Sequence, residues 1–168
     1  MNYEINYDTE IILPLDKNSC KVVENGNQYI IDATPFAIIE RSCEYFGSSY
    51  EGRKLGTKML LGITHKSPII VEESKGIIFF PTKSPDKEDC IWVNLAQIEK
   101  FYEVDERNSA IEFKNGDVLE CDTSIGSLSN QIMRSTRLKF ILDERTKLKK
   151  IWKYLFLYAI LWYNYYGI

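Results

Sequence analysis

Two Asn-Gly dipeptides, Asn25-Gly26 and Asn115-Gly116, each interrupt short apolar, β-branched runs, and no other feature restricts the fold as much. Both residues of such a pair tolerate the positive backbone dihedrals of a tight hairpin turn, so each marks two antiparallel neighbours. Lys21-Val22-Val23 with Gln28 to Ile31 gives the first expected hairpin, and Ala110 to Lys114 with Val118 to Cys121 the second. Glu10 to Leu15 adds a strand for which Pro14 suggests an edge position. Pro68 to Val71, Gly76 to Phe80, Cys90 to Leu95 and Ile98 to Val104 read as further strands.

Helical signals come in two places. Thr34-Pro35 has the form of an N-cap followed by proline at the first helical position. Phe36, Ile39, Cys43 and Phe46 then recur at helical spacing until Gly47 ends the run. The segment Gly47 to Thr57 is ambiguous. Ser48 and Glu51 have capping-box spacing, but Gly52 and Gly56 each weaken a helix by about 1 kcal/mol, so a loop or one short helical turn is expected. From Ser127 to about Lys150 the sequence is helical and basic, with imperfect periodicity that leaves a kink or a second helix open. The class is α+β: mainly antiparallel strands, a short helix in the N-terminal half and a long basic C-terminal helix. The 168 residues divide into a domain over 1–150 and an apolar, aromatic tail over 151–168.

Charge is unevenly spread. The net value is −3, yet Glu51 to Lys66 holds four basic residues against one acid, and Arg134 to Lys153 holds eight against two. An acidic protein with two concentrated basic stretches has the asymmetry of one that meets a polyanion on one face; two solvated basic faces are the plainer alternative. Cys20, Cys43, Cys90 and Cys121 are widely separated, with only His65 to join them, which supplies neither paired zinc ligands nor, without a secretory signal, a disulfide framework. Buried thiols in the reducing cytoplasm are expected, with no metal or other cofactor. An enzyme with Cys43 as nucleophile and His65 as base is disfavoured, since Cys43 falls on the apolar stripe of the first helix. No phosphate-binding Walker run or nucleophile elbow is present.

The run Glu40-Arg41-Ser42-Cys43-Glu44-Tyr45-Phe46-Gly47-Ser48-Ser49-Tyr50-Glu51-Gly52-Arg53-Lys54-Leu55-Gly56-Thr57 resembles the signature of the competence-factor (ComK) family. Ile63-Thr64-His65-Lys66-Ser67-Pro68, Ile77 to Thr82, Phe113 to Gly116 and Asn130 to Arg134 are similar to that family in kind and spacing. The resemblance covers about residues 11–148 and implies a transcription activator of DNA-uptake genes, not an enzyme. It further implies binding to A/T-rich promoter boxes chiefly through the minor groove, as dimers that pair into tetramers. RNA polymerase and a Clp-protease adaptor are the implied protein partners.

Candidate DNA-binding residues follow from both lines. Glycines at 47, 52 and 56 would let backbone amides approach phosphates, beside donors from Ser48, Ser49, Arg53 and Lys54. Arg53 is the first candidate for insertion into a narrow groove, which attracts arginine. Lys58 and Lys66 extend the first basic stretch; His65 either touches phosphate or is a hydrogen-bonded structural residue. Asn130, Gln131, Arg134, Arg137 and Lys139 open the basic helix and would track the backbone. The tail departs from the family, with Lys153 as its one charge. Leu155-Phe156-Leu157-Tyr158 only faintly resembles an adaptor-binding segment. Packing in the domain or a dimer, an altered or truncated reading frame with impaired activity, and membrane association remain open for it.

Overall fold

The structure, a computed structural model, describes residues 3–166, with side chains described through residue 157. Strands β1 (Thr9–Pro14), β2 (Cys20–Glu24) and β3 (Asn27–Ile31) lead into helices α1 (Pro35–Tyr45) and α2 (Tyr50–Leu61). Strands β4 (Ile69–Glu72), β5 (Ile77–Pro81) and β6 (Trp92–Asn94) follow, then a 3-10 turn over Leu95–Gln97. Strands β7 (Ile98–Glu103), β8 (Ser109–Phe113) and β9 (Val118–Cys121) precede the long helix α3 (Ile125–Tyr166). The α+β class holds.

Six strands form one antiparallel sheet in the order β3-β2-β1-β6-β5-β4, and β7-β8-β9 form a second. Alternate residues along the large sheet serve opposite faces. Ile12, Val22, Ile77, Phe79 and Trp92 pack under α1 with Ile38, Ile39 and Cys43. Their neighbours Ile11, Val23, Phe80 and Val93 meet Ile111 and Phe113 of the small sheet and Leu128 of α3. Ile70 and Ile78 pack on Leu138 and Leu142. Burial on both faces is why β5 reads as an unbroken apolar run.

The Asn25-Gly26 turn is formed as the sequence suggests, with φ of 48° and 78°. At the second turn only Gly116 is left-handed, at 91°; the Phe113 amide donates to Asp117 O at 2.8 Å, and Gly116 N to Phe113 O at 2.9 Å. That is a one-residue-longer turn ending in a glycine bulge. Pro14 does not make β1 an edge strand, because β1 lies between β2 and β6. However, β6 pairs only with Ile11 and Ile12, so proline sits past the end of that ladder, where a missing N–H costs nothing. Cys90 to Leu95 shortens to Trp92–Asn94 followed by the 3-10 turn.

Residues 47–57 are not a loop. Thr34 caps α1 by accepting from the Ala37 amide, and α1 closes with Gly47 N donating to Glu44 O and Ser48 N to Cys43 O. This is the glycine-closed helix end in which both carbonyls are satisfied. Ser49, not Ser48, then caps α2 through the Gly52 amide at 3.0 Å. Two glycines cost α2 about 2 kcal/mol. Tertiary burial outweighs that: Tyr50 and Thr57 are buried, and Tyr50 stacks edge-on between Phe36 at 4.8 Å and Trp92 at 6.4 Å. One buried side chain of that size contributes about 1.5–3 kcal/mol. Helix α3 is a single element over Ile125–Tyr166, so there is no second helix in this segment.

Two stability outcomes follow. Ser49→Ala should lower the unfolding free energy by about 1 kcal/mol in a urea titration, and an unmoved midpoint would remove Ser49 from the cap. The second concerns Glu10, 2% exposed at the β1 bulge, whose Oε2 has no partner. Burial, with Asp117 and Asp8 nearby, raises its carboxyl above the ordinary value. A carboxyl raised in the folded state costs stability when ionised, and that cost fades as pH falls through the raised value. Glu10→Gln should therefore raise the melting temperature at neutral pH, with the gain shrinking toward about pH 4.

Candidate nucleic-acid interface

Helix geometry sorts the first basic stretch. Successive residues lie about 100° apart, so Arg53 and Lys54 flank the buried stripe of Tyr50 and Thr57 on opposite sides. Arg53 leans toward α1, close enough to Cys43 to act on its thiol, and its Nε is buried without a partner. Lys54 leans the other way, over the Tyr50 ring at 5.8 Å and 3.8 Å from Glu51. The expected grouping of Arg53 with Lys54 is thus split. Lys58, one turn on from Lys54, is exposed.

Lys54 borders a cleft of about 380 Å³ shared with Phe36, Thr64, His65, Lys66 and Asp86. Its far wall is the connection from Gly62 to Ser67. Gly62 ends α2 in the left-handed region at φ 71°, with its amide on Lys58 O at 2.7 Å. Thr57 Oγ1 donates to Pro68 O at 2.8 Å, which ties the connection to α2. From the other side Gln131 Nε2 donates to Lys66 O at 3.0 Å and to Pro81 O at 2.7 Å. Arg134 Nη1 reaches His65 O and Gln131 Oε1, both at 3.4 Å. So fixed, Lys66 holds φ at 48°, a conformation that favours glycine and costs a lysine about 1 kcal/mol or more.

Asn130, Arg134 and Arg137 recur at i, i+4 and i+7 and share one stripe of α3 beside this connection. Leu60 and Leu61 pack near Leu138 and Leu142, which brings the end of α2 against α3. Among the described residues, Lys58, Lys66, Arg134 and Arg137 make no ion pair, while Lys139 is held by Asp143 at 2.6 Å. Lys66 and Arg134 thus meet at the connection as unmatched cations, with Lys58 exposed on α2 and Arg137 a turn further along α3.

Several expectations change. Gln131 is 3% exposed with both amide hydrogens engaged; it positions the connection and cannot reach a ligand. Lys139 is neutralised by Asp143. The amides of Gly52 and Gly56 lie inside α2, the first satisfied by Ser49, so they cradle no phosphate. Ser49 itself is exposed with its hydroxyl oxygen on that cap, and Ser48 is half-buried. The ring of His65 is exposed and only its carbonyl is used, which sets aside the hydrogen-bonded structural role.

The alternative chemistry loses its nucleophile. Cys43 is fully buried, and burial pushes its thiol up to about 11, as it does those of Cys20 and Cys90. A thiol so placed is protonated at neutral pH and shielded from substrate. Among the described residues no three His, Cys, Asp or Glu side chains gather to hold a metal ion.

Comparison with known proteins agrees with the sequence signature, which the structure shows to be the end of α1, its turn and the first two turns of α2. No solved structure is a match. A curated relative named "Competence transcription factor", from Bacillus subtilis (strain 168), is 35% identical over 147 residues, 86% of this chain and 77% of the relative. Residues 1–147 match the family described as ComK protein, and over that stretch, from the first strand into the long helix, the chain belongs to the ComK family.

Proposed function

We propose that the chain is a DNA-binding competence transcription activator that takes A/T-rich promoter duplex through its Lys54–Lys66–Arg134 face. The observation that carries this reading is the fixed connection at 62–67. Two side chains of α3 pin it, a left-handed lysine stands on it, and of the cations around it Lys66 and Arg134 make no ion pair among the described residues, while Lys54 is paired with Glu51. Strain held at one position by surrounding contacts is a mark of function, and unmatched cations on an acidic protein supply local attraction for a polyanion.

The roles divide by position. Lys54, Lys58 and Arg137 neutralise phosphates, with Ser48, Ser49 and Asn130 as neutral donors at the margins. Lys66 and Arg134 are the groove-directed pair, since the minor groove of A/T-rich duplex is narrow and attracts cations. Arg53 serves the contact of α2 with α1. Binding as a dimer or tetramer lets two such faces read successive boxes, and the protein acts in the cytoplasm by engaging RNA polymerase. The part over 1–150 carries this activity. An adaptor for a Clp protease would need another handle than Leu155-Phe156-Leu157-Tyr158, of which the first three lie on an exposed helix and the last lies outside the described side chains.

Mobility-shift titrations on A/T-rich duplex at two salt concentrations test this. Arg134→Ala should weaken binding about tenfold and relax the preference for A/T-rich over G/C-rich duplex, Arg137→Ala should reduce the salt slope by about one, and Arg53→Ala should leave all three unchanged. Equal affinity for a G/C-rich competitor would overturn the reading. Lys66→Gly separates function from folding. It should leave stability unchanged or raise it by up to about 1 kcal/mol while lowering affinity, and undiminished affinity would take Lys66 out of the interface.

A further inference from the structure

The family match ends at residue 147, but α3 continues without a break. Among the described side chains, which end at residue 157, Leu142 is the last buried one of the helix. Beyond it Leu148, Ile151, Trp152 and Leu155 recur at i, i+3, i+4 and i+7 and are 57%, 54%, 70% and 55% exposed. That spacing is one apolar stripe along a helix, and the domain does not cover it. Packing of 151–157 inside the domain, one of the readings open from sequence, is therefore excluded.

Lys149, Lys150 and Lys153 lie on the other side of the same turns, Arg145 borders the stripe two turns before Trp152, exposed Tyr154, Phe156 and Leu157 share the remaining surface, and in the given sequence no acidic residue follows Glu144. Among these four cations none makes an ion pair in the described residues. An apolar stripe set against unmatched cations, with Trp152 and Tyr154 exposed, restricts what can cover it. Duplex phosphates match the cations and leave leucine and isoleucine in water. A second copy covers the stripe but brings the same unmatched cations beside the first set. An anionic lipid surface answers both halves, with headgroups for the cations and the acyl boundary for the stripe.

We propose that residues 145–157 are an amphipathic anchor that lies flat on an anionic lipid surface. Tryptophan and tyrosine suit that boundary, where one end of a ring is apolar and the other wet. Among the described residues no helix is long and apolar enough to cross a membrane. This proposal is independent of the DNA reading, since it uses no residue of the duplex face.

The full chain should be sedimented with phosphatidylcholine vesicles, with and without about a third phosphatidylglycerol. Partition onto the phosphatidylglycerol vesicles alone is expected. The combined variant K149Q/K150Q/K153Q should reduce it about tenfold or more, and W152S/L155S should abolish it. Both variants lie outside the core, so their melting temperatures should match the unaltered chain. Absence of partition would overturn the proposal, as would partition insensitive to the three lysines. Self-association that W152S/L155S removes, without vesicle binding, would assign the stripe to a second copy. Loss of duplex affinity in the lysine variant, without vesicle binding, would assign the cations to nucleic acid.

Discussion

Both hydrogens of one buried amide hold the functional side of this molecule together. Gln131, inside α3, donates to the carbonyls of Lys66 and Pro81, and so fastens the helix to the Gly62–Ser67 connection and to the end of a core strand at once. Buried backbone carbonyls need donors, and here a side chain far along the chain supplies them. Without it the left-handed lysine would relax, Arg134 would lose the oxygen against which it is aimed, and these two cations would no longer meet at the connection. Their meeting is a product of packing.

How much of this was legible before the structure depends on how local each signal is. Asn25-Gly26 and Thr34-Pro35 could be read directly, because a left-handed turn and a helix start are decided by the residues that form them. Helix α2 could not. Gly52 and Gly56 argue against a helix on local grounds, and what outweighs them is the burial of Tyr50 against Phe36 and Trp92, and of Thr57 against Pro68. These are contacts between distant segments, and no window of sequence contains them.

That one misreading carried through to the site. A loop would allow Arg53 and Lys54 to face the same way, while a helix forces them to either side of a buried stripe. Gln131 was hidden for a related reason: a polar amide in a polar helical stretch has the look of a solvated residue, and its two acceptors lie 65 and 50 residues away. Lys139 with Asp143, by contrast, had the i, i+4 spacing of a helical ion pair and was readable from sequence. Family resemblance located the right segment; only the fold told its side chains apart.

The continuity of α3 has a mechanical meaning. With a rise of about 1.5 Å per residue, Arg134 and Trp152 stand about 27 Å apart along one rod. No loop separates them to absorb rotation, so a body gripping one end sets the bearing of the other. Such a rod works as a ruler, and its length fixes the standoff between whatever each end touches.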